Sequence, residues 1–162
     1  MSMIVRPAVP GDAEGIFAVE KESFSVPWSL DAIHKELQNR ELTMYYVLED
    51  EEGQIAGYAG LWRVLDEGQI TNIALRRSCR GSGYGELLLR VLMEAGWEDG
   101  CSDIFLEVRI SNVSALGLYR KLGYQTLSVR QKYYSEPVED AYVMDCKKEH
   151  YPWITNYSKK EE

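Results

Sequence analysis

The chain has 162 residues, of which 45% are hydrophobic and 27% are charged, a composition typical of one folded domain and not of a disordered chain. Its formal net charge of −8 disfavours direct binding to nucleic acid, because such binding depends largely on lysine and arginine contacts to phosphates. No apolar run approaches the ~20 residues needed to span a bilayer, so we predict no membrane segment.

The first half of the chain shows the patterns of two helices and a three-stranded meander. Residues 43–48, 54–62 and 69–75 are predicted strands, and the short turns between them favour antiparallel pairing. Asp12 and Ser29 are candidate N-caps of the two helices. Each is followed by apolar residues at helical spacing: Ile16, Phe17 and Val19 after the first, and Leu30, Ile33 and Leu37 after the second.

The second half alternates helices with strands. We predict a helix after Gly85 that ends near Gly96 or Gly100, a strand at 103–110, a helix from Asn112 or Ser114 to Gly123, and strands at 124–134 and 139–147. The order ααβββαβαββ predicts an α/β (α+β) fold with a mixed, mostly antiparallel central sheet flanked by helices. We expect one domain over residues 1–149 and a loosely held tail over 150–162.

A segment rich in arginine and glycine, residues 76–85, lies between the meander and the following helix. Glycines let the backbone approach a ligand closely, and the first amides of a helix have no partners within it. Together with the helix dipole these amides form an anion site, and Arg76, Arg77 and Arg80 add positive charge. The segment therefore predicts a phosphate-bearing ligand.

Two common phosphate-binding motifs do not fit this segment. A Walker loop requires Gly-Lys-Ser/Thr, and the segment contains no lysine. A Rossmann loop requires Gly-x-Gly-x-x-Gly, whereas residue 86 is Glu. The remaining alternative is a flexible turn with solvated arginines.

Arg80-x-x-Gly83-x-Gly85 resembles the Arg/Gln-x-x-Gly-x-Gly/Ala loop of the GNAT family of N-acetyltransferases, whose amides hold the pyrophosphate of coenzyme A. Residues 69–75 resemble the family strand that pairs with the pantetheine arm. The resemblance covers about residues 4–146. It implies acetyl-coenzyme A as cosubstrate, bound by Ile73, Ala74, Leu75, Arg80, Gly81, Ser82, Gly83, Tyr84, Gly85, Glu86, Asn112 and Tyr119.

The predicted strand at 103–110 places Glu107 on the face opposite Ile104, Leu106, Val108 and Ile110. A carboxylate in a central strand is costly unless it is paired or opens onto a cleft. An ion pair with Arg109 on the same face is one interpretation, and a catalytic carboxylate is the other. Tyr119 lies just beyond the apolar face of the following helix, where it is either ordinary boundary packing or a site residue.

Three segments, 106–112, 130–134 and 140–144, resemble the RimI-type branch of the family, the ribosomal-protein alanine N-acetyltransferases. This resemblance implies that Glu107 is the general base and Tyr119 the general acid. It also implies that the acceptor is the N-terminal α-amine of a small-subunit ribosomal protein. An α-amine, with a pKa of about 7.7–8.0, is far more often neutral near pH 7 than lysine, with a pKa of about 10.4.

Other acceptors and another class of protein remain open. The acceptor is alternatively a protein lysine or a small-molecule amine, and the chain is alternatively a coenzyme A-binding interaction module without turnover. Tyr133 and Tyr134 either line an acceptor groove or simply favour a strand. A covalent mechanism through Cys79 lacks an evident base, since neither histidine is linked to it by motif.

The cysteine and histidine content points to a reducing compartment and to no metal. An odd number of cysteines without metal-ligand spacing indicates free thiols, and only two histidines are present. Residues 1–7 show no basic region followed by an apolar stretch, so we expect no secretory signal. We therefore expect a cytoplasmic protein.

Overall fold

The structure is a computed structural model that describes residues 2–154. Within these residues, seven strands form one sheet in the order β1-β2-β3-β4-β5-β7-β6, accompanied by four α-helices. The elements are β1 (Ile4–Pro7), α1 (Ala13–Ser23), α2 (Leu30–Gln38), β2 (Thr43–Glu49), β3 (Ile55–Val64), β4 (Glu67–Leu75), α3 (Tyr84–Glu98), β5 (Asp103–Arg109), α4 (Val113–Lys121), β6 (Gln125–Ser135) and β7 (Val138–Lys147).

The predicted fold class and the predicted meander are confirmed. β2, β3 and β4 pair antiparallel in sequence order, and β5, β7 and β6 continue the sheet. The predicted order lacked β1, which pairs antiparallel with β2 at the edge of the sheet. This strand has four residues, includes Arg6 and Pro7, and shows no clean alternation of buried and exposed positions, so it gives no strand pattern in the sequence.

The helices cover both faces of the sheet. α3 packs on one face, where Leu88, Leu89, Leu92 and Met93 are fully buried in the larger core cluster. α1 and α2 pack on the other face, around Ile16, Val19, Ile33 and Leu37. Since side chains alternate between the faces along a strand, the central strands β2, β3 and β4 contribute to both clusters.

Only one of the two predicted N-caps acts through its side chain. Ser29 Oγ accepts a hydrogen bond from the Ala32 amide at 3.1 Å, as predicted. Asp12 occupies the N-cap position of α1, but its carboxylate bonds the Arg6 guanidinium at 2.8 Å and the Val9 amide at 2.8 Å instead. Arg6 lies on β1, so the missed strand explains why Asp12, although it is at the predicted N-cap position, does not cap the helix through its side chain.

The expectation of a loose tail from residue 150 is wrong for its first residues. Tyr151 is only 1% exposed, and its hydroxyl donates to Glu94 on α3 at 2.5 Å. The Arg90 guanidinium lies 3.8 Å from the centroid of the Trp153 ring. Residues 151–154 therefore pack on the domain, and the rest of the expected tail, 155–162, lies outside the described residues.

The sheet divides at its centre. β4 and β5 are parallel, and they pair only where Glu67–Gln69 meet Asp103–Phe105. Beyond that point the two strands separate, so the edge of β4 at residues 70–75 has no strand partner on the β5 side.

Among residues 2–154, none of the helices has the length and apolar character that a membrane span requires.

Candidate active site

A cavity of about 420 Å³ lies where β4 and β5 separate. Four of the predicted site residues line it: Ile73, Glu107, Asn112 and Tyr119. On the outer side its walls are the α1–α2 loop, with Trp28, and the turn between β6 and β7, with Glu136. Ser25 Oγ in the loop donates to the Glu136 carbonyl at 3.1 Å. These two loops are thus joined across one side of the cavity.

Glu107 is held at the cavity by residues from β4 and β6. Its Oε2 accepts from Gln69 Nε2 at 3.0 Å, and its Oε1 lies 3.7 Å from Arg130 Nε. The side chain is 18% exposed, so it is accessible from the cavity. The predicted alternation of β5 is confirmed, because Ile104, Leu106 and Val108 are buried on the opposite face.

The alternative ion pair between Glu107 and Arg109 is not formed. Arg109 Nη1 instead lies 3.2 Å from Glu139 Oε1 and donates to the Pro137 carbonyl at 2.9 Å. Its guanidinium stacks on the Tyr134 ring at 4.2 Å. Arg109 therefore fixes the β6–β7 turn, and Tyr134 lines the cavity together with Tyr133.

Tyr119 reaches the cavity from α4, on the face of the sheet opposite to Glu107. The Asn112 side chain fixes the start of α4, since its Oδ1 accepts from the Ala115 amide at 3.2 Å. Tyr119 is 7% exposed and packs on the Tyr124 ring at 5.6 Å, so it is also a core residue. Burial raises the pKa of Tyr119 to about 12, so the hydroxyl carries its proton at neutral pH.

The glycine-rich loop has the backbone geometry of an anion site. Gly81 and Gly83 have φ values of 81° and 86°, and no atom lies within 4 Å of a Cβ added at either position. α3 begins at Tyr84, and Leu87 donates to the Gly83 carbonyl at 3.1 Å as the first bond of the helix. The amides at residues 81–86 therefore lack helical acceptors and are available to a ligand.

The arginines in this segment are less free than the sequence suggested. Arg76 Nη1 donates to Gln54 at 3.2 Å, and the Arg77 amide donates to Glu22 at 2.6 Å. Arg80 Nε donates to the Leu75 carbonyl at 3.2 Å, which ties the loop to the end of β4. The anion site consequently depends on backbone amides, with Arg80 as its anchor.

Other predicted residues in this region divide into backbone and packing roles. Glu86 Oε1 lies 2.6 Å from Lys121 Nζ and links α3 to α4, so only its amide is available at the loop. Tyr84 packs against the core, and Ser82 is exposed. These positions contribute to a ligand site mainly through their backbone.

The open edge of β4 offers alternate backbone groups. The Arg76 amide donates to Ala56 on β3, and backbone groups alternate in direction along a strand. The N–H and C=O groups of Ile73 and Leu75 therefore face the open edge. Ala74 directs its own groups toward β3 and buries its side chain on the α1 side. Of the predicted β4 residues, Ile73 can pair with a ligand through both backbone groups and Leu75 through its N–H, because Arg80 already bonds the Leu75 carbonyl. Ala74 directs neither group toward the open edge.

An extended anionic molecule fits this arrangement. The cavity at residues 70–73, the open edge of β4 up to Leu75 and the amides at 81–86 follow one another along the chain. Coenzyme A has an extended arm capped by a pyrophosphate, and the unfilled space around Gly81 and Gly83 allows its phosphates to approach the backbone. The residues present thus fit coenzyme A.

The sequence analysis missed Glu20, a second carboxylate in the cavity wall. Glu20 lies on α1 and is 1% exposed. Its signal in the sequence was its position four residues after Ile16, which places a carboxylate on the buried face of the helix.

The three cysteines are buried and free, and residues 2–154 contain no cluster of three metal-ligating side chains.

A sheet that opens between two parallel strands, with an anion loop at the end of one of them, provides a site for an extended, phosphate-bearing cosubstrate such as coenzyme A. The chain belongs to the acetyltransferase (GNAT) family, which matches residues 13–124. Acetyl-coenzyme A is the cosubstrate of this family, and the predicted cosubstrate and enzyme class are confirmed.

Several proteins similar to this chain are named as acetyltransferases of one particular ribosomal protein. A Bacillus subtilis protein with the provisional name ribosomal protein bS18-alanine N-acetyltransferase is 41% identical over 144 residues, covering 89% of each chain. The Haemophilus influenzae ribosomal protein bS18-alanine N-acetyltransferase is 37% identical, covering 83% of this chain and 92% of that one. The crystal structure of the Escherichia coli ribosomal-protein-S18-alanine N-acetyltransferase superposes with a TM-score of 0.83 at 28% identity, covering 90% and 94%.

Proposed function

We propose that this protein transfers the acetyl group of acetyl-coenzyme A to the N-terminal α-amine of a protein, an alanine of a small-subunit ribosomal protein in the cytoplasm. The observation that carries the proposal is the cavity between β4 and β5, in which Glu107 and Tyr119 meet from opposite faces of the sheet. The names of the relatives support the choice of acceptor. No direct contact with nucleic acid or membrane is part of the proposal.

Backbone groups, more than side chains, bind the cosubstrate. The open edge at Ile73 and Leu75 pairs with the extended arm, and the amides at residues 81–86 bind the pyrophosphate. Asn112 and Tyr119 complete the wall near the reacting group. Acetyl-coenzyme A supplies an activated thioester carbonyl, and the Ile73 amide polarises the oxygen of that carbonyl.

Glu107 and Tyr119 move the two protons that the reaction requires. Glu107 takes the proton from the acceptor ammonium, directly or through one water, because an amine attacks only when neutral. An α-amine is already neutral about one time in ten near pH 7, so a carboxylate is a sufficient base. Tyr119 gives its proton to the departing thiolate and regains one from the attacking nitrogen, which loses its second proton as the amide forms. No covalent bond to the enzyme is formed.

The test is transfer of labelled acetyl from acetyl-coenzyme A to two basic peptides that share one sequence. One peptide has a free N-terminal alanine, and the other has a blocked terminus and an internal lysine. We expect label only on the free terminus. Glu107→Gln should lower kcat by about 10²- to 10⁴-fold, because it removes the general base. Glu67→Gln, which changes an exposed carboxylate at the start of β4, is the matched control and should keep the rate.

Each of the other outcomes would contradict a different part of the proposal. Equal labelling of the lysine peptide would reject the acceptor while leaving the enzyme class intact. Binding of coenzyme A without label on either peptide would favour a non-catalytic coenzyme A-binding module. A Glu107→Gln variant as active as the control would remove Glu107 from the mechanism.

A further inference from the structure

Glu20 is a buried carboxylate that borders the acceptor side of the cavity. It lies on α1, on the same face of the sheet as Glu107, and both residues line the cavity. Within residues 2–154 no lysine, arginine or histidine nitrogen lies within 4.0 Å of its oxygens. Burying an unpaired carboxylate is costly, so the hydrogen bonds to Glu20 must offset that cost.

Three neutral donors converge on Glu20 from three different elements. Its Oε1 accepts from the Tyr58 hydroxyl on β3 and from the Asn72 side chain on β4. Its Oε2 accepts from the Trp28 amide in the α1–α2 loop at 2.8 Å. Asn72 and Trp28 both line the cavity, whereas Tyr58 is buried in the core beneath it. The two oxygens thus connect one wall of the cavity to the other.

Asn72 occupies a special position on β4. The pairing of β3 and β4 shifts register between Gly60 and Leu61, so that Gly60 faces Asn72 and Leu61 faces Ile70. Thr71 is the extra residue of this bulge, and the Tyr45 hydroxyl lies 3.3 Å from its Oγ1. A bulge bends its strand and redirects side chains. Glu20 therefore holds β4 at the point where it turns away from β5.

We propose that Glu20 is a positioning residue of the acceptor site, whose two oxygens hold the Trp28 loop and Asn72 at a fixed separation. This separation sets the width of the passage through which the amine reaches Glu107. Glu20 does not exchange a proton with the acceptor. The proposal rests on the proposed function, since it assigns Glu20 to the acceptor and not to coenzyme A, whose pyrophosphate site lies at residues 81–86.

The experiment compares Tyr58→Phe with the double variant Tyr58→Phe, Glu20→Met. Tyr58→Phe removes only the donor in the core and leaves the bonds to Trp28 and Asn72. The second change removes both of those bonds at similar side-chain volume, and it leaves no tyrosine hydroxyl buried without a partner. We expect Tyr58→Phe to keep kcat/KM for the acceptor peptide within about two-fold of wild type.

For the double variant we expect kcat/KM for the acceptor peptide to fall at least about ten-fold, with the KM for acetyl-coenzyme A unchanged. Amide hydrogen exchange at residues 24–29 should become faster only in the double variant, because the Trp28 amide loses its acceptor. Equal acceptor kinetics in the two variants would overturn the proposal. An equal rise in both KM values would overturn it too, since it would reveal a general structural role.

Acetylation of the two peptides by the wild-type enzyme tests the proposed function independently of the role of Glu20. If wild type acetylates neither peptide, the proposed acceptor is wrong. The exchange measurement then still decides whether Glu20 holds the Trp28 loop. Faster exchange in the double variant alone supports the positioning role, and equal exchange in the two variants rejects it.

Discussion

At the scale of single residues, two carboxyl groups lie close together where β5 begins. Burial and the neighbouring Asp145 raise the pKa of Asp103 to about 6, against the opposing effect of Lys147 at 3.6 Å. Asp103 Oδ1 is buried without a hydrogen-bond partner among the described residues. Asp145 is also buried and accepts from Gln125 at 3.2 Å. The folded protein therefore binds a proton at Asp103 more tightly than the unfolded chain does.

This raised pKa makes stability depend on pH. The pKa of Asp103 is about 6 in the folded protein and about 3.9 in the unfolded chain. Protonated Asp103 therefore stabilises the folded protein at low pH, and this stabilisation is lost as pH rises through 6. We expect Asp103→Asn to raise the free energy of unfolding by about 1–2 kcal/mol at pH 7.5 and by much less at pH 4.5. Urea unfolding at the two pH values measures this difference.

The control for Asp103 is an exposed carboxylate on α2. Asp31 forms only a surface pair with Lys35 at 3.1 Å, so Asp31→Asn should change the free energy of unfolding little at either pH. A gain for Asp103→Asn of the same size at pH 4.5 and pH 7.5 would contradict the assignment, because it would reflect packing and not protonation.

The alternation of β5 was enough to single out Glu107 from the sequence, but not to identify its partners. Arg109 was a candidate because it lies two residues away on the same strand face. The actual partners are Gln69 and Arg130, which come close to Glu107 only through strand pairing. Glu20 was missed because its role depends on contacts from residues that are 8–52 positions away in the chain. Such contacts are fixed by register, which a single sequence does not reveal.

At the scale of elements, the start of α3 depends on a left-handed residue. Gly83 has φ of 86° at the N-cap of α3, a conformation that costs a residue with a Cβ about 1 kcal/mol or more. We expect Gly83→Ala to lower the free energy of unfolding by about 1–2 kcal/mol and also to weaken coenzyme A binding by about ten-fold. The second effect follows because the loop amides turn away from the pyrophosphate. Calorimetric titration with coenzyme A measures the affinity.

Gly53 provides a matched control at a distance from the loop. It has φ of 79° in the turn between β2 and β3, and a Cβ at this position meets no atom within 4 Å, as at Gly83. Gly53→Ala should therefore cost similar stability and leave coenzyme A affinity unchanged. Equal affinities in the two variants would show that the geometry of the loop at Gly83 does not hold the ligand.

The predicted elements that succeeded have strong local signals. α2 has a serine cap and a regular apolar spacing, and the meander strands have short polar turns. β1 has neither, and it is stabilised instead by pairing with β2 and by the Arg6 contacts to Asp12 and Glu49. Local pattern therefore predicts an element only where the element does not depend on tertiary contacts.

At the scale of the whole molecule, the division between β4 and β5 creates the site. Helices on one face supply Tyr119, and the strand face toward α1 and α2 supplies Glu107 and borders Glu20. A closed sheet would keep these groups apart. The sequence predicted a mixed sheet, but the length over which β4 and β5 pair is a property of twist and packing. The cavity was therefore not predictable, although four of the residues that line it, Ile73, Glu107, Asn112 and Tyr119, were predicted as site residues.

The last described residues complete the core beside α3. Tyr151 packs on Trp97 with ring centroids 6.1 Å apart and on Trp153 with centroids 5.2 Å apart. A chain truncated after His150 loses these contacts, and we expect its free energy of unfolding to fall by about 3–5 kcal/mol. A chain truncated after Ile154 keeps them and is the matched control, so the chain that ends at His150 should be the less stable of the two. Urea unfolding of the full chain and the two truncated chains measures where the domain ends. Equal stability of the two truncated chains would show that the domain ends at residue 149, as expected from the sequence.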